Sequence, residues 1–336
     1  MVSIGLAPAI FFAIDGQQSA SLAEHRLEQF CSAEYLSQNH VFSNEAIETV
    51  TSLLISANDR AWAATPRLYV VLRISGLLHL RQTFLSINHT DAYFPYSAFT
   101  VPKGLEPKDR SSFLRAQTCV LTRAGQISKW DLGEHVRFRD TAHVPLDSKA
   151  ILGSGGSGQV DLVVLRSPSG TFDAAFNKQL VRKMIQRRVW GRHQQGLVEF
   201  LNELKVLKLV RHRHLVDIIG SYTDPIYAAL IMSPVADCDL GHFMKVAVTD
   251  NRKLSSMRTF FGCLAAALAY LHKIQIWHKD IKPQNILVHS ANVLITNFRL
   301  FYNCNNTQST TKERLARNTP KSVSYTHLTL PTILRV

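Results

Sequence analysis

The octapeptide His278-Lys279-Asp280-Ile281-Lys282-Pro283-Gln284-Asn285 restricts what this chain can fold into more than any other stretch. It is a polar loop placed directly after a long apolar segment, Leu254 to His272, that reads as a helix. Asn297-Phe298-Arg299 follows a short distance on. Far upstream lies a second unusual run, Gly153-Ser154-Gly155-Gly156-Ser157-Gly158-Gln159-Val160. Glycines at 153, 155 and 158 let a backbone approach phosphate oxygens closely, with free amides aimed at them. Such a run is weak evidence by itself, since many Gly-Ser turns match it by chance. Its flanks carry more information. Ile151-Leu152 before it and Asp161 to Leu165 after it both read as strand, whereas a dinucleotide-binding turn leads into a helix.

Composition enters through what it excludes. The 336 residues are 46% hydrophobic and 19% charged, the balance of a globular chain with ample core. A net charge of +13 favours acidic partners such as nucleotide phosphates. The basic clusters, Arg187-Arg188 and Arg211-His212-Arg213-His214, are short and not interleaved with aromatics, so nucleic acid is not an expected partner. Five scattered cysteines without a paired spacing read as reduced thiols of a cytoplasmic or nuclear protein. The apolar run Ile4 to Ile14 is too short to span a bilayer and lacks a basic leader, so neither a membrane anchor nor a signal peptide is expected.

Residues 1–140 read as mostly helical. Leu22, Leu27, Phe30 and Cys31 recur near helical spacing, as do Ile47, Val50 and Leu54. Arg67 to His79 is a further apolar stretch that begins just after Pro66. Asp91 to Pro107 holds three prolines and the aromatics Tyr93, Phe94 and Tyr96, which suggests an ordered loop. No catalytic constellation is evident there. The texture changes near Val144-Pro145-Leu146. Strands are expected through Phe176 to Ile185, Leu215 to Tyr222 and Tyr227 to Met232. Between the first two, Glu199 to Val210 reads as a helix with Phe200, Leu204 and Leu207 on one face and Val210 as a further candidate.

Leu180-Val181-Arg182-Lys183 lies in the second strand of this region, and Glu203 on the helix that follows. The bland reading of Glu203 is an exposed carboxylate paired with a neighbouring lysine. Val206 and Leu207 occupy the positions such a lysine would need, while Lys205 and Lys208 are off that spacing. Met232 and then Ser233-Pro234-Val235 close a strand, and a plain buried strand end is the alternative there. Glycine run, strand lysine, helix glutamate and polar octapeptide, in that order, resemble a eukaryotic protein kinase over about residues 140 to 322. Lys282 resembles the serine/threonine class, and the details resemble a group common in filamentous fungi.

The resemblance implies an α+β, two-lobe fold with a complete small lobe and an incomplete large lobe, preceded by the helical region. It implies ATP and Mg2+ as cofactors and a protein substrate of unknown identity. Gly153, Gly155, Gly158 and Val160 would cover the nucleotide. Lys183 would contact the α- and β-phosphates and pair with Glu203. Met232 resembles the gatekeeper, and Val235 the hinge contact to adenine. Asp280 would accept or orient the substrate hydroxyl proton, Lys282 would neutralise charge on the transferred phosphoryl group, and Asn285 would hold a metal ion. His278 reads as a packing residue of the loop.

Departures at four places qualify this, Asn297 and Arg299 counting as one. Ser157 replaces an aromatic at the loop tip and Val181 an alanine over adenine, both mild changes. Asn297 replaces the metal-binding aspartate, and an amide oxygen brings no charge to a magnesium site. Arg299 replaces a glycine beside it. After Thr319-Pro320 the pattern stops, and Val323 to Thr332 resembles one reading frame of a sequencing-library adapter. The sequence therefore divides into 1–140, 141–322 as a partial kinase domain, and 323–336 as a tail expected to be an artefact. Two function classes follow: a serine/threonine kinase, or a pseudokinase that binds nucleotide or partners without catalysis. A small-molecule phosphotransferase fits Lys282-Pro283 and Gln284-Asn285 less well.

Overall fold

Two adjacent cations, Arg182 and Lys183, leave one strand on opposite faces, and the small lobe can be built outward from that alternation. The computed structural model describes residues 20–39, 41–87, 89–122, 133–155, 158–166, 178–187, 195–298 and 302–303. Strands β1 (His135–Arg137), β2 (Leu146–Gly155), β3 (Gly158–Leu165), β4 (Gln179–Gln186), β5 (Asp217–Thr223) and β6 (Tyr227–Ser233) form one sheet in the order β1-β5-β6-β4-β3-β2. Lys183 lies opposite Leu230, and Met184 opposite Ala229. Leu230 belongs to the main core, whereas Met184, Ala229, Ile231 and Tyr222 build a separate core on the other face. Arg182 goes to that outer face, where its guanidinium donates at 3.0 and 2.5 Å to the fully buried Asp161.

Helix α1 spans Asn44–Ser56, α2 Pro66–Ile74, α3 Pro107–Ala116 and α4 Gln195–Leu209. Ser43 starts α1 by accepting from the Ala46 amide, and Ile47, Val50 and Leu54 are buried on its inner face. Leu22 does not join them: it is 57% exposed, because the apolar stripe of its helix runs through Ala23 and Leu27 instead. Residues 68–72 of α2 are all buried, so this is the central helix of the N-terminal region, and it ends at Ile74, short of the expected His79. Its first amides, Arg67 and Leu68, donate to the Asp91 carboxylate from the ordered loop. Helix α4 buries Leu197, Phe200, Leu204 and Leu207 at helical spacing, with Glu203 on the same stripe. The burial of Phe200 alone contributes about 1.5–3 kcal/mol.

Where described, residues 1–140 are mostly helical, as expected. That region is not helical throughout. His135–Arg137 is a strand, and it pairs in parallel with β5, so the N-terminal region supplies the edge of the small-lobe sheet. A three-residue strand is too short to show a period in sequence. Of the basic pair Arg187-Arg188, Arg187 has a fully buried side chain. Arg187 donates to the carbonyls of Tyr93 and Asp224 and to that of Pro95 at 2.8 Å. The Arg211–His214 cluster likewise buries His214, whose ring faces the Val293 carbonyl at 3.2 Å.

The large lobe begins with β7 (Cys238–Asp239), α5 (Leu240–Ala247) and α6 (Asn251–Lys273). Asp239 caps α5, and Asp250 caps α6 by accepting from Arg252 and Lys253. Strand β8 is Ile276–Trp277, β9 Ile286–His289, β10 Asn292–Ile295 and β11 Tyr302–Asn303. β9 pairs with β7 and β10, and β8 pairs with β11. By length and composition α6 could cross a membrane. Here it is tied into the lobe by the burial of Phe260, Ala267 and Leu271. The four described cysteines, Cys31, Cys119, Cys238 and Cys263, are free. Ile4–Ile14, Ser157, Arg188, Arg299, Thr319-Pro320 and residues 323–336 lie outside the described residues.

Burial also sets a pH dependence. His89 is stacked on Tyr93 at 4.1 Å, and desolvation lowers its pKa to about 4. An unfolded histidine titrates near 6.5. The unfolded chain therefore binds the proton more readily, and stability that is full above about pH 6.5 is lost as pH falls toward 4. The loss by pH 5 should be about 2 kcal/mol from this group. His135, pushed down by burial and then by neighbouring cations, acts in the same direction. Thermal melts should show a lower Tm at pH 5 than at pH 7, and His89→Phe should remove part of that difference. An unchanged difference in His89→Phe would contradict the assignment.

Candidate active site

Lys183 reaches from β4 into the space between the lobes and meets Glu203 of α4. Its ammonium donates to both carboxylate oxygens, at 2.7 and 2.8 Å. Both groups are buried, with Lys183 7% and Glu203 1% exposed. This is the pairing that the kinase resemblance implied, and the apolar Val206 and Leu207 leave no helix lysine at the competing spacing. Val160 lies directly across the strand pair from Lys183, Gly153 pairs with Val160, and Gly155 with Gly158. These pairings bring the ends of β2 and β3 beside the lysine.

The glycines differ in what they need. Gly158 has φ of +109°, and a Cβ there would lie 2.0 Å from the Met184 carbonyl, so the protein itself demands glycine. A Cβ at Gly153 or Gly155 would meet nothing within 4 Å. That open space is what a phosphate-bearing ligand requires. At the far end of the cleft Met232 closes β6, buried opposite Val181, and Val235 follows half-buried in the connection to the large lobe.

The octapeptide forms a single hydrogen-bonded unit. Asn285 donates to the Asp280 backbone carbonyl at 2.7 Å and to its carboxylate at 2.8 Å. Lys282 meets the same carboxylate oxygen at 2.9 Å. Burial would raise the Asp280 pKa, but the bonds from Lys282 and Asn285 outweigh it and hold the carboxyl below its ordinary value. Asp280 is thus held as a carboxylate, with one oxygen taken by both Lys282 and Asn285. His278 is a packing residue, as expected. It is 3% exposed, its ring meets Phe298 edge-on at 5.1 Å, and Nε2 faces the Thr296 carbonyl at 2.9 Å. The Asp280 amide donates to its Nδ1, so the ring sets the start of the loop.

Asn297 joins the two halves of the site. Its Oδ1 accepts from Lys183 at 3.3 Å, and its Nδ2 donates to Asn285 Oδ1 at 3.1 Å. Its backbone has φ of +70°, the left-handed region that asparagine and aspartate tolerate better than most residues. Lys279 has φ of +60°, so left-handed residues occur on both sides of the site. Sequence spacing could not show either.

The donor set fits magnesium poorly. Asn285 and Asn297 offer amide oxygens, and each of those oxygens already accepts a hydrogen bond. Magnesium sites are built on one or two carboxylates. The nearest carboxylate, Asp280, is occupied by Lys282 and Asn285. Among the described residues no three of histidine, cysteine, aspartate and glutamate gather as a metal cluster. The nucleotide half fits better, with a buried lysine, open glycines and an apolar strand end.

Of the residues singled out in sequence, the structure brings Lys183, Glu203, Asn297, Asn285, Asp280 and Lys282 into one chain of contacts. Sequence reasoning missed the Thr296 carbonyl and Phe298 as the supports of His278. The spacing of Phe298 from the octapeptide was the available signal.

Comparison with known proteins agrees. Residues 146–324 match the family model for the protein kinase domain, just over half of the chain. The rat serine/threonine-protein kinase ULK3 (Rattus norvegicus) is 33% identical over 147 residues, covering 41% of this chain and 31% of that protein. Sucrose non-fermenting protein kinase 1 of Fusarium virguliforme is 30% identical over 152 residues, covering 44% of this chain and 20% of that protein. The chain thus spans less than a third of the length of either relative. With the Lys183–Glu203 pair and the ordered octapeptide in place, this chain belongs to the protein kinase family.

Proposed function

We propose that this chain binds ATP between its lobes with little dependence on magnesium, and that its phosphoryl transfer to protein hydroxyls is impaired. The observation that carries this reading is the Asn297 amide, which bridges Lys183 and Asn285 where the family uses a carboxylate and a metal. A neutral bridge satisfies both neighbours without an ion. It leaves Lys183, itself held by Glu203, beside the ends of β2 and β3. It also leaves the transferring phosphate without the charge neutralisation that phosphoryl transfer depends on.

A second reading, an active serine/threonine kinase, is favoured by the loop itself. Asp280 is ionised and Lys282 is adjacent, with Asn285 locking both. Thermal-shift titration separates the two. The first reading expects a comparable upward shift in Tm with ATP in the presence or absence of magnesium, together with little transfer to a generic protein substrate. A shift seen only with magnesium, accompanied by turnover that Asp280→Asn abolishes, would replace it with the second.

A further inference from the structure

We propose that Arg187 is a positioning residue: through it the N-terminal region braces the small lobe and holds α4, with Glu203, against Lys183. Arg187 stands at the end of the strand that carries Lys183, in the connection that leads to the helix carrying Glu203. Three consecutive carbonyls of the N-terminal loop accept from the small lobe. Those of Tyr93 and Pro95 take Arg187, and that of Phe94 takes the Thr223 hydroxyl at 2.7 Å. The Asp224 carbonyl completes the set around the guanidinium. A fully buried cation bound by backbone carbonyls from two parts of the chain fixes their relative position, because no water can replace a lost partner.

The brace extends to α4 itself. His135 and Arg137 project from the same face of β1. The His135 ring lies 6.2 Å from that of Phe200, and its nitrogens meet the hydroxyls of Ser221 at 2.9 Å and Thr223 at 3.3 Å. Leu197, Phe200, Leu204 and Leu207 of α4 share one continuous core with the N-terminal helices. The helix is therefore packed into the N-terminal core along the same stripe that carries Glu203. The strand and the helix that carry the Lys183–Glu203 pair are thus both anchored to the N-terminal loop and strand.

Hydrogen exchange of the full chain without nucleotide tests this, so the result does not depend on the nucleotide reading above. Arg187→Ala should raise exchange by about ten-fold or more both in residues 91–96 and in α4, while α6 keeps its protection. Arg187→Lys should recover part of the protection in both segments. Where ATP binding holds for the parent, affinity should fall in parallel with the loss in α4. If Arg187→Ala does not fold, Thr223→Val removes one bond of the same joint and should give the same paired pattern on a smaller scale. Loosening of residues 91–96 with α4 unchanged, in whichever of these variants is folded, would overturn the proposal, since the N-terminal region would then be attached without positioning anything.

Discussion

Asn297→Asp is expected to convert ATP binding from nearly metal-insensitive to strongly magnesium-dependent. The substitution keeps the left-handed backbone, which aspartate tolerates as asparagine does. It removes the Nδ2 donor to Asn285, and so frees the Asn285 oxygen to face an ion. It also supplies the missing carboxylate beside Lys183. Magnesium should then improve ATP affinity by at least about ten-fold, or roughly 1.4 kcal/mol. Without magnesium the variant should bind no better than the parent, because its new charge faces the phosphates. Calorimetric titration with and without the ion reads both. A variant that gains nothing from magnesium would show that residue 297 does not govern metal use here.

The largest effect on stability should come from Glu203→Leu. It leaves the buried Lys183 ammonium with only the 3.3 Å contact to Asn297. Removing one partner of a buried ion pair typically costs about 3–5 kcal/mol, since the remaining charge is stranded away from water. Lys183→Met should cost less than Glu203→Leu when Glu203 can take up a proton. The double variant, with apolar groups of similar volume, should recover most of the loss. Denaturant midpoints of the four proteins give the coupling energy. A Glu203→Leu cost below about 1 kcal/mol would mean that the pair is solvated in solution and does not bridge the strand and helix as described.

The parts of this molecule that were legible in sequence are those where chemistry forces a local pattern. Lys183 could be placed because Leu180-Val181-Arg182-Lys183 resembles a kinase strand motif, and the structure then sends its neighbour Arg182 to the other face. Glu203 could be placed because it sits on an apolar stripe with no lysine in reach. The octapeptide was legible because it resembles a kinase loop, and in the structure Asp280, Lys282 and Asn285 bond one another within those few residues. What escaped was non-local. Arg187 looks like any surface cation until the carbonyls of Tyr93 and Pro95 are brought to it from more than ninety residues away. Strand β1 is too short for a period, and its partner strand follows much later. The bridging role of Asn297 was also hidden. The loss of an acid can be read from one letter, but the two hydrogen bonds that fill its place depend on where Lys183 and Asn285 arrive.

The parallel pairing of β1 with β5 also sets an order of events during synthesis. His135 and the serine beside it in the sheet are separated by 86 positions in the chain. Parallel strands so far apart cannot meet by a tight turn, and such closure is slow compared with helix formation. Helices α1 to α3 leave the ribosome first and can collapse on their own apolar faces. Their exposed edge and the carbonyls of Tyr93 to Pro95 must then wait, at the pace of translation, until Arg187 and Thr223 emerge. The interval is a period of several seconds in which the nascent chain presents an unpaired strand and a polar loop without its cation. A chaperone that shields that segment would have its natural moment between the emergence of β1 and the completion of β5.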